Sequence, residues 1–217
     1  MNKYDTIIFD FDYTLADSSK GVWQSINYAL KQLYFEEVTE EKTNLTIGLS
    51  LKETFWSLVG KQDEEITNKF CVLFVEKADK VMADLTRIFP DVLETIPKIS
   101  GLGYKLGIVS TKFRYRIHSI LSREKLLKYF DIIVGGEDVT KQKPNPEGIE
   151  KAINVLETSP DKVLYIGDSL TDEKTAGNVK VDFCAILTGV TEKQHFNDKK
   201  VIKYFYSMKE LYEGLRG

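Results

Sequence analysis

After Pro90 the chain alternates short apolar runs with segments of helical spacing, without an internal sequence repeat. The runs lie at 104–109, 131–134, 162–166 and 182–187, with a weaker fifth at 201–205. Apolar strands separated by stretches long enough for a crossover helix leave few folds open. Successive strands must lie mostly parallel, joined by right-handed connections, with helices covering both faces. A further run, Thr6-Ile7-Ile8-Phe9, stands near the start of the chain, and the residues between it and position 84 follow a different rhythm. There Val22, Ile26, Ala29, Leu30 and Leu33 recur at helical spacing, as do Ile66, Phe70, Leu73, Phe74 and Val81. Ser50, after a break at 45–50, is placed to cap a short helix through Leu58. The expected class is therefore α/β. Residues 1–15 and 85–217 form a doubly wound, mostly parallel sheet, and an α-helical domain, 16–84, is inserted after the first strand.

A chain of 217 residues with 42% hydrophobic side chains can bury a full core. Its net charge of −3 gives no electrostatic reason to expect nucleic acid or an anionic membrane as partner. Cys71 and Cys184 lie far apart among apolar neighbours, without CxxC spacing or a histidine cluster, so both read as reduced core residues. The segment Met1-Asn2-Lys3-Tyr4-Asp5 leads straight into the first run, and no apolar stretch approaches the ~20 residues needed to span a bilayer. A cytoplasmic location is expected.

Asp10-Phe11-Asp12-Tyr13-Thr14-Leu15 sets two carboxylates two residues apart just beyond a buried strand. Solvated loop aspartates would be the dull account, but the later strands answer them. Val109-Ser110-Thr111-Lys112 supplies hydroxyls and loop amides suited to phosphate oxygens. Lys141-Gln142-Lys143-Pro144-Asn145-Pro146 sets a lysine before two prolines that stiffen the chain. Gly167-Asp168-Ser169-Leu170-Thr171-Asp172 again puts acids after a strand, although Asp168 alone reads equally well as a helix N-cap. All four groups fall at the carboxyl ends of expected parallel strands, where open α/β sheets bind ligands.

In that order the four groups resemble the motifs of the haloacid dehalogenase superfamily: DxDxT, a strand ending in Ser or Thr, a lysine, and GDxxxD. The likeness spans nearly the whole chain and implies a Rossmann-like core with a helical cap. It is closest to the branch of phosphoglycolate phosphatases and pyrophosphatases, through Asp17-Ser18, the early helix with Asn27-Tyr28-Ala29-Leu30, and Thr188-Gly189-Val190. Tyr13 and Lys180 stand where that family commonly has glycine.

The resemblance implies a Mg²⁺-dependent phosphatase acting on a small phosphorylated metabolite. Asp10 would be the nucleophile, forming an aspartyl phosphate, and Asp12 the acid and then the base. Asp10, the main-chain carbonyl of Asp12, and Asp168 would hold Mg²⁺, with Asp172 orienting that set. Lys143, Ser110 and Thr111 would bind the phosphoryl oxygens. Phosphoglycolate is the leading substrate; pyrophosphate, a nucleotide or a sugar phosphate are alternatives. A carbon–halogen hydrolase is disfavoured because Asp12 is present, and a sugar phosphomutase because 18–23 lacks that group's histidine. A non-catalytic phosphate-binding module is disfavoured because every motif residue is in place. His118 and His195 read as surface residues, and Trp23, Trp56 and Phe55 as packing, with Trp23 or Tyr13 the alternative lining of a substrate entrance.

Overall fold

The computed structural model of the chain describes residues 3–60 and 62–216. Met1 and Asn2, part of the segment expected to enter the first strand, lie outside the described residues. The elements run β1 (Thr6–Phe9), β2 (Ala16–Asp17), α1 (Ser19–Gln32), α2 (Glu40–Asn44), α3 (Leu51–Val59), α4 (Glu64–Leu85), β3 (Arg87–Ile88) and α5 (Pro90–Ser100). They continue with β4 (Lys105–Val109), α6 (Arg114–Arg123), β5 (Ile132–Val134), α7 (Glu147–Val155), β6 (Val163–Gly167), α8 (Leu170–Val179), β7 (Asp182–Ile186), β8 (Val201–Phe205) and α9 (Met208–Arg216). The chain divides into two compact units, one of Met1–Ala16 with Ile88–Gly217, the other Asp17–Arg87.

The larger unit is built on one six-stranded sheet in the order β5-β4-β1-β6-β7-β8, with every pair parallel. Ranked along the chain, those strands lie 3-2-1-4-5-6, the doubly wound order whose direction of winding reverses beside the first strand. Parallel strands are covered on both faces, which is why Thr6–Phe9 and Val163–Gly167 are buried at every position. Ile8, Val109, Val134, Ile149, Ile153, Val163, Tyr165 and Phe183 belong to one buried cluster joining sheet and helices.

The smaller unit is helical. Its cluster joins α1 through Ile26, Ala29 and Leu30 to Phe55 of α3 and to Phe70, Phe74, Ala78 and Met82 of α4. Ser50 caps α3 as its sequence suggests: its hydroxyl accepts from Glu53 N, while the Glu53 carboxylate accepts from Ser50 N at 3.0 Å. Trp23 Nε1 donates to Val38 O at 2.8 Å, and Trp56 Nε1 to Thr67 Oγ1 at 3.0 Å. Both indoles thus have partners inside this unit, which supports the packing reading. Among the described residues no helix is long and apolar enough to cross a membrane.

Cys184 is fully buried in β7, where burial pushes its thiol up to about 12. Cys71, expected in the core, is only partly buried. It packs on the border of the α1–α4 cluster, because its position on α4 falls at the edge of the apolar stripe. His118 and His195 are exposed, as expected.

Both positions where glycine is commoner in the resembled family have left-handed backbone, with φ of 60° at Tyr13 and 63° at Lys180. Lys180 ends α8, and its amide closes on Ala176 O. A side chain in this region costs about 1–2 kcal/mol, and glycine's extra unfolded entropy returns only part of that. Lys180→Gly should therefore raise stability by roughly 0.5–1 kcal/mol in urea denaturation; an unchanged or lower midpoint would show that the strain is absorbed elsewhere.

Candidate active site

The winding reverses between β1 and β6, and beyond the carboxyl ends of the strands at such a point open α/β sheets bind their ligands. Phe9 is paired with Ile108 on one side and Ile166 on the other. Asp10 is therefore level with Val109 and Gly167, and Ser110 and Asp168 lie one step farther out. Asp10 N donates to Ile166 O at 2.8 Å and Ser110 N to Val134 O at 3.0 Å, which fixes the first residues beyond each strand. Phe11, between the two acids of the first motif, is fully buried.

Lys143 is the hub of the site. Its Nζ lies 2.8 Å from Asp10 Oδ1, 2.6 Å from Asp172 Oδ1 and 3.3 Å from the Tyr165 hydroxyl. Tyr165 in turn donates to Asp172 Oδ1 at 2.8 Å. The other oxygen of Asp172 accepts from Ser169 N at 3.2 Å and from Ser169 Oγ at 2.5 Å. Ser169 is the N-cap of α8, so the cap reading of Asp168 does not hold. Its hydroxyl reaches back to Asp172 N, which leaves Asp168 to face the crevice.

Two short loops fasten the acids. Thr14 Oγ1 donates to Asp168 Oδ1 at 3.2 Å, and Thr188 Oγ1 donates to Tyr13 O. A Cβ at position 189 would overlap the Asp168 carboxylate, so glycine there lets the 188–190 loop lie against that acid.

The second cluster centres on Asp12. Lys112 Nζ lies 3.1 Å from Asp12 Oδ1, with both side chains less than a tenth exposed. Lys112 N donates to Ser110 Oγ at 3.3 Å, and Lys112 O accepts from Gly136 N at 3.1 Å. Gly136 sits so close to Thr111 O that any Cβ would clash, so the turn 110–112 is pinned against the residues after β5. Thr111 is half-buried in that turn.

Sequence reasoning names Asp10, Asp12, Ser110, Thr111, Lys143, Asp168 and Asp172. The structure gathers Asp10, Lys143, Asp168 and Asp172 in one cluster, pairs Asp12 with Lys112, and sets Ser110 and Thr111 in the turn leading to Lys112. Tyr165 is the participant it does not single out, and Lys112 is named only as part of the basic run 112–116, which the sequence offers to an anionic substrate. The signals were present: a lysine two residues after the motif hydroxyl, and a phenol inside an otherwise aliphatic strand just before the acids.

Four carboxylates here face two ammonium groups. Burial pushes the Asp10 carboxyl up to about 6, with the neighbouring Asp172 charge adding to it and Lys143 opposing it. Burial and the Asp172 and Asp10 charges likewise hold Asp168 well above the usual carboxylate range. Burial works against the Lys143 charge, but Asp10 and Asp172 outweigh it and hold that ammonium above its ordinary value. Asp10 Oδ1, although close to Nζ, has no donor in hydrogen-bonding alignment. One oxygen from each of Asp10, Asp168 and Asp172 lies within 4.8 Å of the others. Hard oxygen donors with surplus negative charge and an orphaned buried oxygen fit a divalent cation such as Mg²⁺. Both Asp172 oxygens already accept hydrogen bonds, so Asp10 and Asp168 are the better placed to offer theirs.

The sequence model of haloacid dehalogenase-like hydrolases matches residues 7–186. The chain belongs to this family. The pyrophosphatase PpaX of Bacillus mycoides is 31% identical over 170 residues, covering 78% of this chain and 77% of its own length. The structure of a Bacteroides fragilis protein named as a haloacid dehalogenase-like hydrolase superposes with a TM-score of 0.92 at 39% identity, covering 96% of this chain and 99% of that one. A Haemophilus somnus protein named as a phosphoglycolate phosphatase shares the fold with a TM-score of 0.84 at 21% identity, covering 99% of each chain.

The raised Asp10 pKa has a consequence for metal-free protein. A carboxyl whose folded value lies above its unfolded one contributes stability that is full below the unfolded value and lost as pH rises through the folded value, here about 6. In EDTA, Asp10→Asn should therefore gain stability relative to the wild type as pH rises from 4 to 7.5, read by thermal unfolding of both. A constant gap across that range would mean that Asp10 ionises as in the unfolded chain.

Proposed function

We propose that this hydrolase removes the phosphoryl group from a small phosphorylated metabolite in two steps, using Asp10 as nucleophile. The reading is carried by Lys143, buried between Asp10 and Asp172 beside the three-carboxylate cluster. A nucleophilic carboxylate needs a fixed cation to keep it ionised and to receive phosphoryl charge, and phosphoryl transfer asks a protein mainly for positioning and charge stabilisation.

In the first step an Asp10 oxygen bonds to phosphorus as the bond to the leaving oxygen breaks, and Asp12 gives that oxygen a proton. In the second, Asp12 takes a proton from water as its oxygen attacks phosphorus, which frees Asp10 and releases phosphate. Ser110 and Thr111 would donate to the phosphoryl oxygens. Mg²⁺ would be held by the carboxylates of Asp10 and Asp168 and, by family resemblance, the main-chain carbonyl of Asp12. When bound, the ion supplies charge neutralisation for the phosphoryl oxygens. Tyr165 and Asp172 orient Lys143, and Thr14 and the 188–190 loop orient Asp168.

The substrate class rests on likeness. The Haemophilus somnus structure points to phosphoglycolate and PpaX to pyrophosphate, and both present a compact phosphoryl group beside a second anion. The helical unit, inserted after the first motif, is assigned the choice between them. A cytoplasmic, small-molecule enzyme fits this chemistry.

Turnover of phosphoglycolate and pyrophosphate, followed as phosphate release, should require Mg²⁺ and stop in EDTA. Asp10→Asn should abolish it while the circular dichroism stays native; full activity in that variant would rule out a covalent intermediate on Asp10. Asp12→Ala should keep phosphate binding and lose about 10²- to 10⁴-fold in kcat, the range of an acid/base residue. A loss under about tenfold would take Asp12 out of that role.

A further inference from the structure

Lys143 is the cation that the motif pattern offers to the substrate, yet in the structure its ammonium is already engaged. It donates to Asp172 and to the Tyr165 hydroxyl and is charge-paired with Asp10 at 2.8 Å. Lys112 differs. Its ammonium is almost as deeply buried, and among the described residues its one ion pair is with Asp12, at 3.1 Å. Two of its three N–H groups remain to be placed. A buried ammonium with donors to spare is a costly thing to keep unless an anion joins it.

The neighbourhood says which anion. Asp12 is the residue that serves the leaving oxygen in the reading proposed above, so that oxygen comes within hydrogen-bond reach of its carboxylate. The Lys112 ammonium then lies within roughly 6 Å of the leaving oxygen, two hydrogen-bond lengths away through one carboxylate oxygen. It pairs with the acid assigned to the leaving oxygen, and among the described residues it has no ion pair with the three-acid cluster. Its backbone is tied at both ends, by Ser110 Oγ and by Gly136 N, so the side chain starts from a fixed point. The other cations of the same stretch point elsewhere. Arg114 Nε pairs with Asp138 at 2.9 Å, and the Arg116 guanidinium lies over the rings of Phe113 and Tyr115.

We infer that Lys112 is a specificity-determining residue: its ammonium, fixed by Asp12, binds a negative charge on the leaving group next to the bridging oxygen. The inference rests on the two-step phosphatase reading and narrows its substrate class. Favoured substrates are those whose leaving group is itself an anion, whether the phosphate of a phosphoanhydride or the carboxylate of a phosphorylated hydroxy acid. Uncharged leaving groups of the same size forgo that contact.

The test is a matched comparison on the Mg²⁺-loaded enzyme. Phosphoglycolate and its neutral amide differ in one charge, and pyrophosphate and phenyl phosphate serve as the anhydride and the uncharged-ester arms. The wild type should favour phosphoglycolate over the amide by about 10- to 100-fold in kcat/KM, the scale of one charge-assisted hydrogen bond. Lys112→Gln should shrink that ratio toward unity, chiefly through KM for the anionic substrates, with a smaller loss on phenyl phosphate than on either anionic substrate; Lys112→Arg should restore part of the preference. Whichever of phosphoglycolate and pyrophosphate shows the larger Lys112 effect names the source of the anion. An equal loss on every substrate would reduce Lys112 to a positioning group for Asp12 and overturn the inference. Should Lys112→Gln not fold, the wild-type ratio decides alone, and acid and amide turned over equally would overturn the inference. A wild type that hydrolyses phenyl phosphate but shows no preference for anionic leaving groups sinks this inference and leaves the phosphatase reading standing. A wild type silent on every phosphate ester and anhydride sinks both.

Discussion

Lys143 holds together a group of acids that would otherwise repel one another out of the sheet. Asp10 and Asp172 meet at one buried ammonium, and Asp168 stands close by, its charge moderated by the same Lys143 and by the Thr14 hydroxyl. Breaking a buried pair by removing one partner costs about 3–5 kcal/mol, because the other charge is left stranded. The acids stay in place because backbone fixes them: the pairing of β1 between β4 and β6 puts the residues after all three strands at one rim. The site thus works against stability in the metal-free protein, and the apolar sheet that carries it must supply the surplus.

That dependence explains which parts of the fold were legible. Strands covered on both faces have to be apolar at nearly every position, so β1, β4, β6 and β7 stand out as runs in the sequence. β8 gave a weaker signal for a physical reason. It is one of the two edge strands, and Val201 and Phe205 are buried while Ile202 and Lys203 are exposed. The two-residue strands β2 and β3 are too short to carry any period, and they escape sequence reading altogether. α3 was legible down to its first residue, because Ser50 and Glu53 form a capping box that is itself a sequence pattern.

Within the site, residue type and place along a strand could be read, but side-chain direction could not. Residues 112–116 contain three cations in five positions and look from the sequence like one basic patch. In the structure they part: Lys112 turns inward to Asp12, Arg114 outward to Asp138, and Arg116 over two aromatic rings. The turn held by Ser110 and Gly136 fixes Lys112, while Arg114 and Arg116 stand in the first turn of α6. Tyr165 was hidden for the opposite reason. In an apolar run a tyrosine counts as filler, and its hydroxyl acquires meaning only when Lys143 and Asp172, which arrive from other loops, are found around it. Burial of that phenol, with the Asp172 charge beside it, holds its pKa well above the ordinary value, so it remains a donor to the carboxylate at any physiological pH.

Preorganisation of these acids is encoded less in the reactive residues than in what surrounds them. Gly136 admits the backbone of the turn 110–112, and Gly189 admits Asp168; in each case a single added carbon would push a functional group off its mark. Thr14 and Thr188 then tie the first motif to Asp168 and to the loop behind it. Electrostatic catalysis requires dipoles and charges that are already aimed before the reaction begins, since reorganising them would add to the barrier. A chain could therefore retain Asp10, Asp12, Lys143 and Asp168 and still lose the arrangement through a side chain at position 136 or 189. The motif residues supply the chemistry, and these glycines and hydroxyls hold it in register with the sheet.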